Sequence, residues 1–338
     1  MRSVTADYDS RSLVEREIAE PSSPGPGEVL LRIAAVGVCG TDRELASFTL
    51  GEPPAGESFL VIGHEALAQV VECGSGVVDI APGDWVVPTV RRSCPSMCPQ
   101  CAAGRRDLCL TLRFSERGIW RAHGYFTEYA LDQPGDLIPV PPALAEHGFL
   151  IEPLSVVEKA VSRAMHLMQS TGRRALVLGL GPIGILAAAA LVLRGFDVTV
   201  FSAEPPGHPR TALLAIQNVH YTNVLGTGTS DVIIEAAGSG ELALAALKLL
   251  APCGVMIVLG ARNVIGSVPF IDLLEKNQTV AGIVNASRAD FDAAVEDLHR
   301  IPASVRSGMI QRFSFGDFAS TLSGAGGAAP KAVHVVWD

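Results

Sequence analysis

The chain has 338 residues, a formal net charge of −9 and 48% hydrophobic residues, enough to bury the cores of two ordinary domains. The acidic balance argues against a nucleic-acid backbone or an anionic membrane surface as a partner. The N-terminal segment lacks the apolar stretch of a signal peptide, and glycine and proline interrupt the longest apolar runs. We therefore expect a cytoplasmic protein that neither spans a membrane nor binds nucleic acid.

The first part of the chain consists of short β-branched runs, such as EVLLRIAAVGV and HEALAQVVECG. Turn-forming segments such as PSSPGPGE and DQPGD separate these runs. The pattern predicts an all-β, barrel-like domain over residues 1–155.

The pattern changes near Glu152, where the helical periodicity of IEPLSVVEKAVSRAMHLMQ begins. From Arg174 onward, apolar strand-like runs alternate with helix-like runs. Such alternation is typical of parallel βαβ units in which both faces of the sheet are covered. We predict a Rossmann-type, doubly wound parallel-sheet domain over residues 156–290, and we expect residues 291–338 to return to the first domain.

A glycine-rich turn connects the first strand of this second domain to its first helix. Its residues are Gly179, Leu180, Gly181, Pro182, Ile183 and Gly184. In this context GxGxxG predicts dinucleotide binding, because the glycines permit a tight turn and a close approach of the pyrophosphate to a helix N-terminus. The alternative is a strand–helix turn that merely favours glycine. The next strand ends at Ser202 and Glu204, and an acid there favours NAD while leaving NADP open.

Cys39 and His64 stand in the short motifs Cys-Gly-Thr-Asp and Gly-His-Glu. A zinc ion that does chemistry takes about three N, S or O ligands from the protein and keeps one position open. Together with Glu65 and the distant Glu152, these residues form a candidate catalytic zinc site. Alone, Cys39 would more often be a buried apolar residue, and Glu152 could instead stabilise a helix dipole. Asp42 is a candidate either to orient His64 or to form a turn.

Four further cysteines lie close together with the spacing C-x3-C-x2-C-x7-C. They are Cys94, Cys98, Cys101 and Cys109. Four close thiolates without a nearby histidine suit a closed, tetrahedral structural zinc. The metal would supply the folding energy that a lobe of about residues 91–112 lacks. Two disulfides or unlinked thiols are the alternative.

In their order and distances these motifs resemble those of the zinc-dependent medium-chain dehydrogenases, over essentially the whole chain. Within that superfamily the chain is most similar to the glucose (aldose 1-) dehydrogenases, in the segments ERGI, EPLSVVEKA and GIVNASRADFDAAVEDL. The resemblance implies an α/β plus β protein with a GroES-like β-barrel catalytic domain and a Rossmann cofactor domain. It also implies catalytic and structural zinc, NAD or NADP, and a homodimer or homotetramer.

For the metal site, the resemblance implies that Cys39 and His64 bind the catalytic zinc. Glu65 and Glu152 match carboxylates in or beside that ligand shell, and Glu152 would also face the substrate. Thr41 matches the hydroxyl that begins the proton relay. The predicted reaction is oxidation of a sugar's anomeric hydroxyl to the lactone, with zinc lowering the pKa of that hydroxyl and hydride passing to the nicotinamide.

For the substrate, the resemblance implies that Glu116 hydrogen-bonds sugar hydroxyls and that Asn285 lies near the nicotinamide and the sugar. A solvated loop acid and a strand-end turn residue are the respective alternatives. The chain departs from the family in the first interval of the cysteine lobe, which is one residue longer than usual. It also has Val90 near a position where some relatives place a polar sugar-contacting residue, so the sequence leaves the sugar open.

Two other functions remain as alternatives. A zinc-dependent dehydrogenase of polyols, amino-alcohols or secondary alcohols would use the same chemistry on a different substrate. A non-catalytic dinucleotide-sensing protein would use the fold alone. The second alternative is disfavoured because such proteins commonly lose metal ligands, whereas this chain keeps its candidate set: Cys39, His64, Glu65 and Thr41.

Overall fold

The structure, a computed structural model, describes residues 1–260, 266–268, 270–323 and 329–337. Over these residues the strands are β1 (Arg2–Asp7), β2 (Ser12–Glu17), β3 (Val29–Val38), β4 (Phe59–Val61), β5 (Glu65–Cys73), β6 (Trp85–Pro88), β7 (Arg91–Arg92), β8 (Ser115–Arg117), β9 (Arg121–Ala122), β10 (Tyr129–Asp132), β11 (Leu137–Val140), β12 (Arg174–Leu178), β13 (Asp197–Phe201), β14 (Val219–Thr222), β15 (Ser230–Glu235), β16 (Leu250–Val258), β17 (Thr279–Gly282), β18 (Ile310–Ser314) and β19 (Lys331–Val335).

The α-helices of the described residues are α1 (Gly40–Ala46), α2 (Pro99–Ala102), α3 (Ile151–Leu167), α4 (Pro182–Leu193), α5 (Gly240–Ala246), α6 (Phe270–Glu275), α7 (Arg288–Arg300), α8 (Ala303–Gly308) and α9 (Phe318–Leu322). Short 3-10 helices occupy Arg106–Leu108, Pro134–Asp136, Pro142–Leu150, Pro209–Leu214, Leu247–Leu249 and Phe315–Asp317. None of these helices combines the length and the apolar composition needed to cross a membrane.

The chain divides into two compact units. The first comprises residues 1–152, 287–295 and 310–338, and the second comprises residues 153–286 and 296–309. The sequence-based division at residue 155 therefore falls at residue 152. Residues 296–309 group with the second unit instead of the first. In this segment Asp297 forms an ion pair with Arg194 at the end of α4, and α8 contacts the 3-10 helix Pro209–Leu214. Within the C-terminal segment, residues 324–328 and 338 lie outside the described residues.

The second unit contains a sheet of parallel strands in the order β14-β13-β12-β15-β16-β17. Counted from β12, this is the order 3-2-1-4-5-6 of a doubly wound dinucleotide-binding fold. The central strands are nearly continuous apolar runs, and the buried face of α4 packs against β12 and β13. Such strands are expected where helices cover both faces of a sheet. The predicted Rossmann-type sheet is confirmed.

The first unit is built around a sheet with the strand order β11-β6-β5-β3-β19-β18. Strand β10 pairs with the first half of β3, at Val29–Arg32, and β19 pairs with the second half. The alternate residues Leu31 and Ile33 of β3 are fully buried in the core of this unit. Strand β19 thus brings the C-terminal segment into the sheet of the first unit.

Three neighbouring strands of this sheet, β5, β3 and β19, converge where β3 ends. Gly37 of β3 is paired with Glu65, the first residue of β5, and Val38 is paired with Ala332 of β19. Gly37 has to be small, because a Cβ atom there would overlap the carboxylate of Glu65. The register therefore places Cys39, the residue after β3, beside the first residues of β5 and β19.

Candidate metal and cofactor sites

Cys39 and His64 face each other at this end of the sheet. The Sγ atom of Cys39 lies 3.3 Å from Nε2 of His64. In a tetrahedral zinc site with a Zn–S bond of about 2.3 Å and a Zn–N bond of about 2.0 Å, these two atoms are about 3.5 Å apart. A carboxylate oxygen of Glu65 belongs to the same group, in which all the donor atoms lie within 4.8 Å of one another. The donor set and its spacing fit a zinc ion with one position left open.

The N-terminus of α1 holds the Cys39 thiol in place. Cys39 is the N-cap residue, its Sγ accepts the backbone N–H of Thr41 at 3.3 Å, and its own N–H donates to Asp42 Oδ2 at 2.8 Å. Free N–H groups at a helix N-terminus stabilise a thiolate, whereas burial and then the charge of Asp42 raise the pKa of Cys39. Thr41 lies half-buried in the same turn, two residues after the N-cap. On the other side of the site, Gly63 has a φ of +87°, which turns the chain sharply before His64.

Asp42 also orients the imidazole ring. Its Oδ1 lies 3.4 Å from Nδ1 of His64, and both side chains are buried. A carboxylate at Nδ1 fixes the tautomer that leaves Nε2 available to a metal. Burial lowers the pKa of His64, but the nearby Cys39 and Asp42 charges outweigh it and hold that pKa well above the ordinary value. The surroundings therefore favour a positive charge at this position, and a metal ion would supply one.

Lys331 is a partner of this site that the sequence did not reveal. Its Nζ donates to the two carboxylate oxygens of Glu65 at 2.7 and 2.5 Å and to the carbonyl of Val38 at 3.3 Å. Both charged side chains are almost completely buried. The sequence did contain a signal, since Lys331 is the first residue of the mostly buried strand β19, and a charge in a buried strand requires a partner. The carboxylate of Glu65 is thus shared between this ion pair and the metal-binding group, and its role as a zinc ligand stays a prediction.

Glu152 lies in the first turn of α3 and is buried. Burial raises the pKa of Glu152 to about 7, His64 lowers it, and the negative charge of Glu65 raises it further. The carboxyl group is therefore close enough to respond to the zinc-binding residues. Among the described residues it is not one of those whose donor atoms lie within 4.8 Å of one another. Its roles as a ligand and as a substrate contact stay predictions.

The four clustered cysteines form a second metal-binding group. Cys94, Cys98, Cys101 and Cys109 are all buried, and Sγ of Cys98 lies 4.0 Å from Sγ of Cys109. Two sulfurs on a tetrahedral zinc with bonds of about 2.3 Å are about 3.8 Å apart. The backbone N–H of Cys98 lies 3.4 Å from the sulfur of Cys94 and is the main reason that the pKa of Cys94 falls to about 5. All cysteines of the chain are free thiols, which argues against the disulfide alternative.

Glu116 lies on β8, where it is buried. Nε and Nη2 of Arg91 each lie 2.9 Å from its Oε1 atom. Nη1 of Arg91 donates to the carbonyl of Asp107 in the cysteine lobe, so one arginine connects Glu116 to that lobe. This geometry rules out the solvated loop acid considered as an alternative. The sequence did not point to Arg91, and contact of Glu116 with a sugar stays a prediction.

Two glycines of the dinucleotide turn, Gly179 and Gly184, are required by their surroundings, and Gly181 is not. Gly179 has a φ of +110°, and a Cβ atom there would lie 2.8 Å from the carbonyl oxygen of Ala236. A Cβ atom on Gly184 would overlap the carbonyl of Gly179, whereas one on Gly181 would meet nothing within 4 Å. The first and third glycines therefore allow close packing, and the second leaves the backbone open to a pyrophosphate.

The remaining residues of the turn complete the helix N-terminus. Gly181 is the N-cap of α4 and provides no side-chain hydrogen bond, and Pro182 and Ile183 form the first helical positions. Leu180 is buried. Backbone N–H groups at such a terminus bind phosphate oxygens. The turn fits the dinucleotide that the sequence predicted.

An acid and a cation meet at the end of β13. Ser202 directly follows the strand, and its hydroxyl donates to the carboxylate of Glu204, which lowers the pKa of Glu204. Nη1 of Arg210 lies 3.9 Å from the same carboxylate. An acid at this position binds ribose hydroxyls, and an arginine accommodates a 2′-phosphate. The pair is compatible with NAD and with NADP.

Asn285 follows β17 at the carboxyl edge of the parallel sheet. Its φ of +57° lies in the left-handed region, and its side-chain oxygen accepts the N–H of Ala286 at 2.9 Å. The buried Lys159 holds the same loop by donating to the carbonyl of Val284 at 3.0 Å. This is the geometry of a strand-end turn residue, and proximity to the nicotinamide stays a prediction.

Known proteins resemble the chain over both units. Residues 25–142 match the alcohol dehydrogenase GroES-like domain, and residues 145–323 match the glucose dehydrogenase C-terminus. Glucose 1-dehydrogenase of Methanocella arvoryzae is 40% identical over 296 residues, which are 82% of each chain. That of Thermoproteus tenax is 38% identical over 311 residues, which are 88% of each chain. Both domain types named in the sequence analysis are thereby confirmed.

Among solved structures, glucose dehydrogenase of Haloferax mediterranei in complex with NADP, Zn and gluconolactone has a TM-score of 0.90 to this chain. Its sequence is 28% identical, and the match covers 100% of both chains. The 2R,3R-butanediol dehydrogenase of Bacillus subtilis has a TM-score of 0.84 at 21% identity, which shows a shared fold alone.

Proposed function

We propose, since the chain belongs to the glucose dehydrogenase subfamily of the zinc-dependent medium-chain dehydrogenases, that it oxidises the C1 hydroxyl of glucose or a similar aldose to the lactone. NAD(P)+ is the hydride acceptor. One observation of the structure carries the proposal. The thiol, imidazole and carboxylate of Cys39, His64 and Glu65 lie within 4.8 Å of one another, at a spacing that suits zinc.

In this proposal each residue of the site has a defined task. Cys39 and His64 hold the zinc, which when bound supplies the Lewis acidity that lowers the pKa of an alcohol. Thr41, in the turn that holds the Cys39 thiol, accepts the proton of the C1 hydroxyl and passes it on. The C1 carbon gives its hydride to the nicotinamide ring, so the loss of one proton and one hydride leaves the lactone carbonyl.

The substrate is contacted from the first unit. We assign Glu116 to the sugar hydroxyls, because a buried carboxylate held by Arg91 is a rigid acceptor. We assign Glu152 to the metal and to the substrate bound there. Such a site discriminates strongly against sugars that lack the contacted hydroxyl, since the buried acceptor is then left unpaired.

The proposal is tested by steady-state rates on protein of measured zinc content. We expect turnover of D-glucose, D-galactose or D-xylose with NAD or NADP, and a loss of about 10²-fold or more in kcat/KM when a hydroxyl bound by Glu116 is removed in a deoxyglucose. The ratio of the rates with NAD and NADP tests whether Glu204 binds the ribose hydroxyls and so favours NAD. Turnover of polyols but not of aldoses would favour the polyol, amino-alcohol or secondary alcohol dehydrogenase. Dinucleotide binding without any turnover would favour a sensing protein.

We further propose that the protein is a homodimer, with a tetramer as the next higher assembly. Strand β17 is one of the two edge strands of the parallel sheet. Helix α6 precedes this strand, and its residues Phe270 and Leu274 are 77% and 72% exposed. Val280 in the strand and Val284 just after it are also exposed. A sheet edge flanked by exposed apolar side chains is a surface that a second chain can cover.

Changing Leu274 to aspartate should convert the dimer to a monomer, because a charge would be buried in the contact. Val78, which is 85% exposed in the first unit, provides the control Val78→Asp. Light scattering coupled to gel filtration measures both masses. A monomeric native protein, or equal effects of the two changes, would contradict the proposed contact.

We assign the enzyme to the cytoplasm. All cysteines are free thiols, and four of them form a zinc-binding group. Such thiols persist in a reducing compartment. Recovery of the protein from a periplasmic or secreted fraction would contradict this assignment.

A further inference from the structure

We propose that Glu235 is a positioning residue for the dinucleotide, because its buried carboxylate fixes the turns that follow two neighbouring strands of the parallel sheet. The proposal rests on the dinucleotide-dependent function given above. Glu235 is the last residue of β15, and its side chain is wholly buried. A buried carboxylate is tolerated only where hydrogen bonds or cations replace its hydration.

Backbone N–H groups provide that replacement. Oε1 of Glu235 accepts the N–H groups of Ala237 at 2.9 Å, Gly238 at 2.7 Å and Ser239 at 3.3 Å, all in the turn after β15. Oε2 accepts the N–H of Gly260 at 3.0 Å, in the segment after β16. One side chain therefore joins the turns that follow two paired strands, β15 and β16, beyond the point where the pairing ends.

The turn after β15 packs directly against the dinucleotide turn, and the segment after β16 packs against the turn after β15. A Cβ atom on Gly179 would lie 2.8 Å from the carbonyl of Ala236 and 3.0 Å from Cα of Ala237. A Cβ atom on Gly260 would lie 3.0 Å from the nitrogen of Gly238. The backbone segments that follow β12, β15 and β16 are therefore in contact at the carboxyl ends of these strands. In open α/β sheets this is the edge outside which the ligand binds.

The chemistry of the turns calls for a hydrogen-bond acceptor at both side-chain oxygens of Glu235. Several N–H donors converge on Glu235, and a carboxylate offers acceptor sites only. Glutamine has the same shape but replaces one oxygen with an NH2 group, which would face an N–H group and leave a buried donor unpaired. Glu235→Gln therefore changes the hydrogen bonds of the turns without changing the volume of the core.

The other end of the same strand provides a matched control. Asp231 is buried near the start of β15, where its carboxylate accepts the hydroxyl of Ser170 at 3.2 Å and the N–H of Arg174 at 3.0 Å. It too joins a neighbouring segment to the strand, but at the amino edge of the sheet. Asp231→Asn should therefore lower stability without affecting the cofactor edge.

The experiment measures dissociation constants of NADPH and NADH by fluorescence on the zinc-loaded full chain, together with thermal unfolding. We expect Glu235→Gln to weaken dinucleotide binding by about tenfold or more, the loss typical of a hydrogen bond to a charged group. Asp231→Asn should lower Tm by about as much as Glu235→Gln does. It should leave both dissociation constants within about twofold of those of the native protein. Glu235→Asp, which keeps the charge but shortens the reach, tests the same expectation if the glutamine variant does not fold.

Hydrogen exchange provides a readout that does not depend on the ligand. Some of the amides of Ala237, Gly238 and Gly260 should exchange faster in Glu235→Gln than in Asp231→Asn, because only the first change replaces one of the two oxygens that accept them. Unchanged dinucleotide affinity in the Glu235 variants would overturn the proposal, as would equal weakening by Asp231→Asn. A native protein that binds no dinucleotide would overturn the proposed function and this role with it, which separates that result from failure of the variant alone.

Discussion

Replacing Cys39 with serine should lower the zinc content from about two ions per chain to about one and reduce aldose turnover by about 10³-fold or more. The reason is that Sγ of Cys39 and Nε2 of His64, 3.3 Å apart, are the soft donors of the candidate catalytic site, whereas the cysteine lobe holds its metal separately. Serine is a good N-cap residue, so α1 should keep its start. Metal analysis and steady-state rates measure the two effects.

The control for this change is Cys73→Ser, a half-buried cysteine of the same unit whose Sγ donates only weakly to the carbonyl of Ile80. It should keep both zinc ions and normal turnover. The affinity of Cys39→Ser for NADPH should also stay within about twofold, since the dinucleotide turn lies in the other unit. Full turnover of Cys39→Ser, or loss of dinucleotide affinity together with the metal, would contradict the assignment of Cys39.

The fold could be predicted where burial leaves a local pattern. The runs RALVLGL and DVIIEAAG contain the buried central strands β12 and β15, and their apolar continuity identified the parallel sheet. Strand β14, Val219–Thr222, was not predicted, because this edge strand is half-exposed and carries histidine and tyrosine in place of an apolar run. Local pattern identifies strands that are buried on both faces better than strands at an edge.

The metal donors could be predicted because Cys39 and His64 lie in short motifs of their own. Their supporting contacts could not, because they depend on pairings between distant parts of the chain. Lys331 is 266 residues from Glu65, and only the register of β19 on β3 brings the two together. Arg91 and Glu235 were missed for a related reason, since a charged residue in a strand reveals nothing of its buried partner until the strands are paired.

Changing Lys331 to methionine should destabilise the first unit by about 3–5 kcal/mol, because it leaves the carboxylate of Glu65 buried without its cation. Burial lowers the pKa of Lys331, but the charge of Glu65 outweighs it and keeps that pKa above its ordinary value, so Lys331 carries its positive charge at neutral pH. Both side chains are no more than 2% exposed, which leaves little screening by water. Urea unfolding followed by tryptophan fluorescence measures the change in this unit, since Trp85, Trp120 and Trp337 all belong to it.

The double variant Glu65→Gln with Lys331→Met separates the ion pair from the loss of packing. It should lose less stability than the sum of the two single changes, because no unpaired charge remains. Repeating the series with the metal chelated then distinguishes the two roles of Glu65. If Lys331→Met lowers the free energy of unfolding less with zinc than without it, the carboxylate of Glu65 binds the metal once Lys331 is gone. If the loss is the same with and without zinc, Glu65 is a partner of Lys331 alone. If Lys331→Met lowers the free energy of unfolding by less than about 1 kcal/mol both with and without zinc, neither Lys331 nor zinc compensates the buried charge of Glu65.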